Sequence, residues 1–79
     1  MQVGCGVYVH VVRDRPYLYF WRYETRGNRR RQIIEYVGPS GSAPVRDEAR
    51  RRCEAYYGRM AEELDRLRSA TLTALVSPR

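Results

Sequence analysis

Residues 17–38 read YLYFWRYETRGNRRRQIIEYVG and combine clustered aromatic side chains with a run of arginines. The first seven positions hold five of the chain's nine aromatic residues, and Arg29–Arg31 follow the pair Gly27-Asn28. Glycine and asparagine tolerate the positive φ that a two-residue hairpin turn requires. The stretch therefore predicts two β-strands, over residues 17–25 and 30–37, joined by a tight turn.

An earlier run, VYVHVV at residues 7–12, is rich in β-branched residues and predicts a further strand. Residues 13–16 (RDRP) predict a four-residue turn, because aspartate and proline favour turn positions. That loop length places Val12 opposite Tyr17 and, further along, Tyr8 opposite Trp21. We expect a three-stranded antiparallel sheet over residues 7–38.

A single amphipathic helix is predicted after the sheet, over about residues 44–68, and residues 38–43 form the linker. Apolar residues recur in this region at spacings of three and four. The predicted stripe consists of Val45, Ala49, Cys53, Tyr56, Met60, Leu64 and Leu67. Asp47 and Glu48 lie near the helix start, where the helix dipole favours acids. The tail, residues 69–79, either extends the helix or folds back as a short apolar segment that pairs with a partner chain.

The predicted fold class is α+β: a three-stranded antiparallel β-sheet packed against one long C-terminal helix, in a single domain of residues 1–79. Side chains alternate along a strand, so the sheet has two unlike faces. The aliphatic face carries Val7, Val9, Val11, Leu18, Phe20, Ile33 and Val37, with Arg22 and Glu35 as its polar members. The aromatic face carries Tyr8, His10, Val12, Tyr17, Tyr19, Trp21, Tyr23, Ile34 and Tyr36.

We expect the aliphatic face to pack on the helix. The aromatic face would then need another cover, because a monomer rarely exposes so large an apolar patch. Nucleic-acid bases and a second copy of the chain are the two candidates. The reverse arrangement, with the aromatic face on the helix, stays open, since an error in the first loop length changes the relation between strands.

The chain is small and basic, with 79 residues and a net charge of +6. A chain of this size buries only about 60% of its unfolded surface, which favours a binding module over an enzyme. All 15 basic residues are arginine, the side chain that holds phosphate in a planar fork. A GC-rich genome or a thermophilic host would explain the same preference. Residues 13–31 hold seven arginines and two acids, so most of the excess charge lies there.

Several classes of protein are not expected. Two cysteines, Cys5 and Cys53, are too few for a secreted disulfide framework, and we interpret both as thiols near the core, with their pairing left open. No apolar run reaches the roughly 20 residues of a membrane span, and no signal-peptide pattern is present. His10 has no partner ligands nearby in sequence. We expect a cytoplasmic protein, nucleoid-associated if it binds DNA, with no metal, cofactor or catalytic residue and no membrane partner.

Residues 15–39, RPYLYFWRYETRGNRRRQIIEYVGP, resemble the short β-hairpin modules at the N-termini of archaeal and bacterial transposase-like proteins. Their layout is also similar to the three-stranded-sheet-plus-helix arm domains of tyrosine integrases, which bind DNA through the sheet. The resemblance covers about a third of the chain and implies only a binding role. The positions to which it assigns that role are Arg22, Tyr23, Arg29, Arg30 and Arg31.

The sequence thus predicts a small nucleic-acid-binding protein and a homodimer. Duplex DNA with limited sequence preference is favoured over RNA. The predicted contact residues are Arg13, Arg15, Tyr19, Trp21, Arg22, Tyr23, Arg26, Asn28, Arg29, Arg30 and Arg31. The alternative is a self-assembling or partner-binding module whose aromatic face or helix forms an obligate oligomer interface.

Overall fold

The computed structural model describes residues 4–76, which form three strands and one helix in chain order. The elements are β1 (Cys5–Val12), β2 (Arg15–Arg26), β3 (Arg29–Pro39) and α1 (Ala43–Val76). The strands are antiparallel, with β2 in the centre of the sheet. The predicted α+β fold, a three-stranded antiparallel sheet followed by one long helix, is confirmed.

Both hairpin turns contain two residues. The β2–β3 turn lies at Gly27-Asn28 as predicted, and Gly27 has a φ of 59°. The β1–β2 turn is Arg13-Asp14, with φ values of 51° and 65°, so the predicted four-residue loop is wrong. Positive φ at both central residues is the conformation of a type I′ hairpin turn. The correction moves the β1–β2 register by two residues, which leaves the side chains of β1 and β2 on their predicted faces.

The core lies between α1 and the β2 part of the aliphatic face. The buried apolar side chains of the described chain are Leu18, Phe20, Ala49 and Tyr56. The aliphatic face therefore packs on the helix as expected, and the reverse arrangement is wrong. The helix does not cover the whole aliphatic face, however, and the β1 residues Val7, Val9 and Val11 are therefore exposed.

The helix begins with a serine cap. Ser42 Oγ accepts a hydrogen bond from the backbone N–H of Val45, at 3.4 Å. Asp47 and Glu48 lie beyond the first turn, which contains no acid, and the dipole acts mainly within that turn. Their partners are instead arginines further along the helix.

α1 continues well past its predicted end at residue 68. It reaches Val76, so the first alternative for the tail is confirmed over residues 69–76, while residues 77–79 lie outside the described part. Side chains as far as Arg66 still line a groove shared with the end of β2. Beyond that point the helix projects past the sheet, and the molecule measures 63 × 25 × 11 Å. Within residues 4–76, no helix is both long and apolar enough to cross a membrane.

Candidate nucleic-acid interface

The aromatic face is a continuous layer of rings across all three strands. Tyr8 of β1 stacks on Tyr19 of β2, with ring centroids 5.3 Å apart and an interplanar angle of 13°. Tyr36 of β3 meets the edge of Tyr19 at 5.6 Å and lies 6.0 Å from Tyr17. His10 completes the group, with its ring 6.2 Å from Tyr19. The corrected β1–β2 register produces these contacts, because it pairs Tyr8 with Tyr19.

Gly4 and Gly6, which have no side chains, allow the rings of Tyr23 and Trp21 to pack closely against the backbone at the start of β1. Trp21 lies opposite Gly6, where an added Cβ would come within 2.9 Å of the indole ring. Tyr23 packs beside Gly4, with its ring carbons 3.7 and 3.9 Å from the position of an added Cβ. The indole and phenol are also edge-to-face with each other, with centroids 5.4 Å apart. The sequence interpretation missed this role of the glycines, which only the pairing of Gly6 with Trp21 reveals.

The aromatic face is open to solvent. Tyr36 is 53% exposed, and Tyr8 and Ile34 are also exposed. Tyr17, Tyr19, Trp21 and Tyr23 are half-buried, mostly by their neighbours within the layer. Because α1 packs on the opposite side of the sheet, nothing in the described chain covers this surface.

The second component is a group of four arginines at the end of the β2–β3 hairpin, which we call the basic tip: Arg26, Arg29, Arg30 and Arg31. They surround an open pocket of about 490 Å³ with no acid in its lining. All four are exposed, and none forms an ion pair within residues 4–76. The guanidinium of Arg30 lies 5.9 Å from the ring centroid of Tyr23, so this arginine contacts the aromatic face. Strand pairing places Arg26, Arg29 and Arg31 on the other face, at the end of the hairpin. Asn28 lies exposed in the turn of the same hairpin.

Arg22 is separated from these residues. It points to the aliphatic face, where its side chain is only 18% exposed and bonds to Glu24 at 3.0 Å and to Glu35 at 2.9 Å. Burial alone would lower the pKa of Arg22, but the hydrogen bonds and charges of the two carboxylates outweigh it and raise the pKa. Its charge is therefore already neutralised, and we leave Arg22 out of the candidate interface.

Arg13 and Arg15 lie at the opposite end of the sheet from the basic tip. Arg13 is in the β1–β2 turn, Arg15 begins β2, and both are exposed. Eleven residue steps along β2 separate Arg15 from Arg26, or about 35 Å at strand geometry. The two basic groups thus flank the aromatic face at a separation close to the roughly 34 Å of one turn of duplex DNA.

The helix arginines contrast with the basic tip because most of them have acidic partners. Arg51 and Arg52 bind Glu48 at 2.7 and 2.9 Å, and these bonds, that of Arg52 first, lower the pKa of the glutamate. Arg50 pairs with Asp47 and Arg66 pairs with Glu63. The positive charge without partners is concentrated on the sheet, not on the helix.

No group of three or more His, Cys, Asp or Glu side chains within residues 4–76 is arranged to hold a metal ion. Comparison of the chain with protein-family models, with curated proteins and with solved structures gave no match. The similarity to transposase-like hairpin modules and integrase arm domains therefore stays a prediction from the residue pattern.

Proposed function

We propose that this protein binds nucleic acid through the aromatic face and the basic tip, with duplex DNA as the preferred ligand. The observation that carries the proposal is a group of four arginines at the end of the β2–β3 hairpin that have no acidic partners within residues 4–76. One of them, Arg30, contacts the solvent-exposed aromatic layer. Arginine offers phosphate a rigid fork of donors, and aromatic side chains contact sugars and bases.

The ring geometry favours duplex over single-stranded ligands. Single strands bind by stacking their bases on open ring faces. Here Tyr8 and Tyr19 stack on each other, and Trp21 lies against Gly6, so these faces are partly occupied. The exposed edges and phenol hydroxyls suit hydrogen bonds to the sugar-phosphate backbone, which position a protein on a duplex. The spacing of the two basic groups supports the same ligand.

Electrophoretic retention of duplex DNA, single-stranded DNA and RNA of equal length tests the ligand class. At about 0.1 M salt, where phosphate contacts still contribute strongly, we expect the duplex to be retained most. A Tyr8→Ala/Tyr36→Ala variant should bind all three more weakly, whereas Gly41→Ala, in the linker and with no atom within 4 Å of the added Cβ, serves as the control. Failure to retain any of the three ligands would refute the proposal.

A second candidate function is self-assembly through the aromatic face. Self-assembly is favoured by the exposure of the same rings, because a second copy of the chain could cover them in place of DNA. The two functions predict opposite effects of Tyr36→Arg. An oligomer built on the aromatic face would dissociate, while an added cation would leave DNA retention intact or increase it.

A further inference from the structure

The second half of α1, which includes its projecting part, carries large apolar side chains that are exposed in the described chain. Leu64 is 52% exposed and Leu75 is 71% exposed, and Leu67 and Leu72 are similarly open. Leu64 and Leu67 continue the stripe that, in the first half of the helix, packs on the sheet through Ala49 and Tyr56. Leu72 and Leu75 lie towards the side of the helix that carries Tyr57. An apolar stripe of this kind is normally buried against another element.

A second uncovered apolar surface lies beside the helix, on the same side of the sheet. It is the aliphatic strip of β1, formed by Val7, Val9 and Val11, and Val9 is 53% exposed. α1 is bonded only to the start of β1, where the Tyr57 hydroxyl lies 3.3 Å from the backbone nitrogen of Cys5. The strip continues from there towards the β1–β2 turn, away from the direction in which the helix projects.

These two surfaces match in length but cannot meet within one chain. The strip from Val7 to Val11 is about 14 Å long at strand geometry. The segment from Leu64 to Leu75 is about 16 Å long at helix geometry. The helix end lies beyond the basic tip, whereas the strip runs from Val7 towards the β1–β2 turn at the opposite end of the sheet. A second copy related by a two-fold axis would bring each surface onto the other, because such an interface is self-complementary.

The charges on the β1 side of α1 fit that symmetry. Glu54, Ala61 and Arg68 follow one another at intervals of seven residues, on the same side of the helix as Tyr57. Glu54 and Arg68 form no ion pair within residues 4–76 and are too far apart along the helix to reach each other. In an antiparallel pair of helices centred on Ala61, Glu54 of each copy lies beside Arg68 of the other. The small alanine at the centre permits close approach.

We propose that the chain forms a two-fold homodimer in which the projecting helix of each copy packs on the β1 aliphatic strip of the other. The two α1 helices run antiparallel with Ala61 at their crossing. The occupant of both surfaces is a second copy of this chain. The proposal is independent of nucleic-acid binding, since it leaves the aromatic faces of both copies free.

Sedimentation of the full chain tests the proposal. The wild type should have twice the chain mass of 9.3 kDa. Glu54→Arg alone and Arg68→Glu alone should each weaken dimerisation about tenfold by placing like charges together. The double variant Glu54→Arg/Arg68→Glu should recover dimerisation, because the pair is restored in reverse. Glu62→Arg, on another side of the helix, makes the same charge change as the first variant and should have no effect.

Val9→Asp should abolish the dimer. The monomer should keep the circular dichroism spectrum of a folded protein, because Val9 is half exposed in a single chain. A monomeric wild type would overturn the proposal. So would a dimer that resists Val9→Asp but dissociates with Tyr36→Arg, which would assign the interface to the aromatic face. Failure of the charge-swapped double variant to recover would refute the antiparallel arrangement.

Discussion

Tyr56 links the helix to two strands through one hydroxyl. The side chain is 1% exposed, accepts a hydrogen bond from the Gly4 backbone nitrogen at 3.1 Å and donates one to the Tyr23 carbonyl oxygen at 3.1 Å. The same two residues also share a backbone hydrogen bond, from Tyr23 N–H to Gly4 C=O. Tyr56 thereby extends the pairing of β1 with β2 and fixes α1 over it.

Replacing Tyr56 by phenylalanine should lower the free energy of unfolding by about 1–3 kcal/mol, because two backbone groups in a buried site lose their partner. Tyr57→Phe is the control, since that ring is exposed and its hydroxyl bonds are longer, at 3.3 and 3.5 Å. Urea unfolding measures both variants. Equal losses for the two would contradict the role assigned to Tyr56.

Cys53 is a second residue whose environment has a measurable consequence. Burial, with the neighbouring thiol of Cys5 as a further cause, raises the pKa of Cys53 to about 11. An unfolded cysteine ionises near pH 8.5, so between about pH 8.5 and 11 the unfolded chain loses a proton that the folded chain keeps. This contribution to stability is complete below that range and disappears as the pH rises through it.

Urea unfolding as a function of pH should therefore show a decline in stability above about pH 8.5 that Cys53→Ala reduces. The variant also corrects for tyrosine ionisation, which is common to both proteins. Identical pH dependence in the wild type and the variant would show that the thiol is not shielded in the folded state.

Strand alternation predicted the faces of single residues well, whereas the acidic partners of Arg22 were not predicted. Alternation placed Arg22 with Glu35 on the aliphatic face, which the structure confirms. The resemblance nevertheless counted Arg22 among the nucleic-acid contacts. Only the positions of Glu24 and Glu35 relative to its guanidinium show that its charge is neutralised, and such three-dimensional pairing cannot be read from spacing in the sequence.

The first turn of α1 lies close against the end of β3. Gly38 of β3 has a φ of 155°, and a Cβ there would lie 2.7 Å from Val45 Cγ2. A glycine at this position lets the first turn of α1 lie directly on the end of β3. The position of the whole helix over the aliphatic face depends on this contact.

Gly38→Ala should lower the free energy of unfolding by more than about 1 kcal/mol, because alanine is strained at positive φ and would also displace Val45. Gly41→Ala, in the linker that follows, is the control, since no atom lies within 4 Å of its added Cβ. Thermal unfolding compares the two. A melting temperature for Gly38→Ala as high as that of the control would contradict the close contact.

Two element boundaries could not be predicted, each for a local reason. The β1–β2 turn requires positive φ at Arg13, which arginine rarely adopts, and the following Pro16 favoured a longer loop. The end of α1 was placed too early because residues 69–76 carry two threonines and no charge, a weak helix signal. Residues 59–77 contain neither glycine nor proline, and the absence of these helix breakers was the better indicator.

At the scale of the whole molecule, the arginines of the helix and those of the sheet differ in whether they have acidic partners. On α1, most arginines bind acids one turn away, so that surface is nearly balanced. On the sheet, the basic tip has no acidic partner within the described chain, and its Arg30 contacts the aromatic face. In the proposed dimer, the two helices form one layer, and both aromatic faces lie on the side of the dimer opposite that layer. This arrangement would double the aromatic surface offered to a duplex.

The dependence of duplex-DNA affinity on salt tests the nucleic-acid interface most directly. Each arginine that neutralises a phosphate contributes about −0.9 to the slope of log affinity against log salt. Arg29→Ala/Arg30→Ala/Arg31→Ala should therefore make the slope shallower by about 2.7. Arg50→Ala/Arg51→Ala/Arg66→Ala removes the same charge from the helix and should change the slope far less. Equal changes for the two triple variants, or an unchanged slope for the first, would contradict binding through the basic tip.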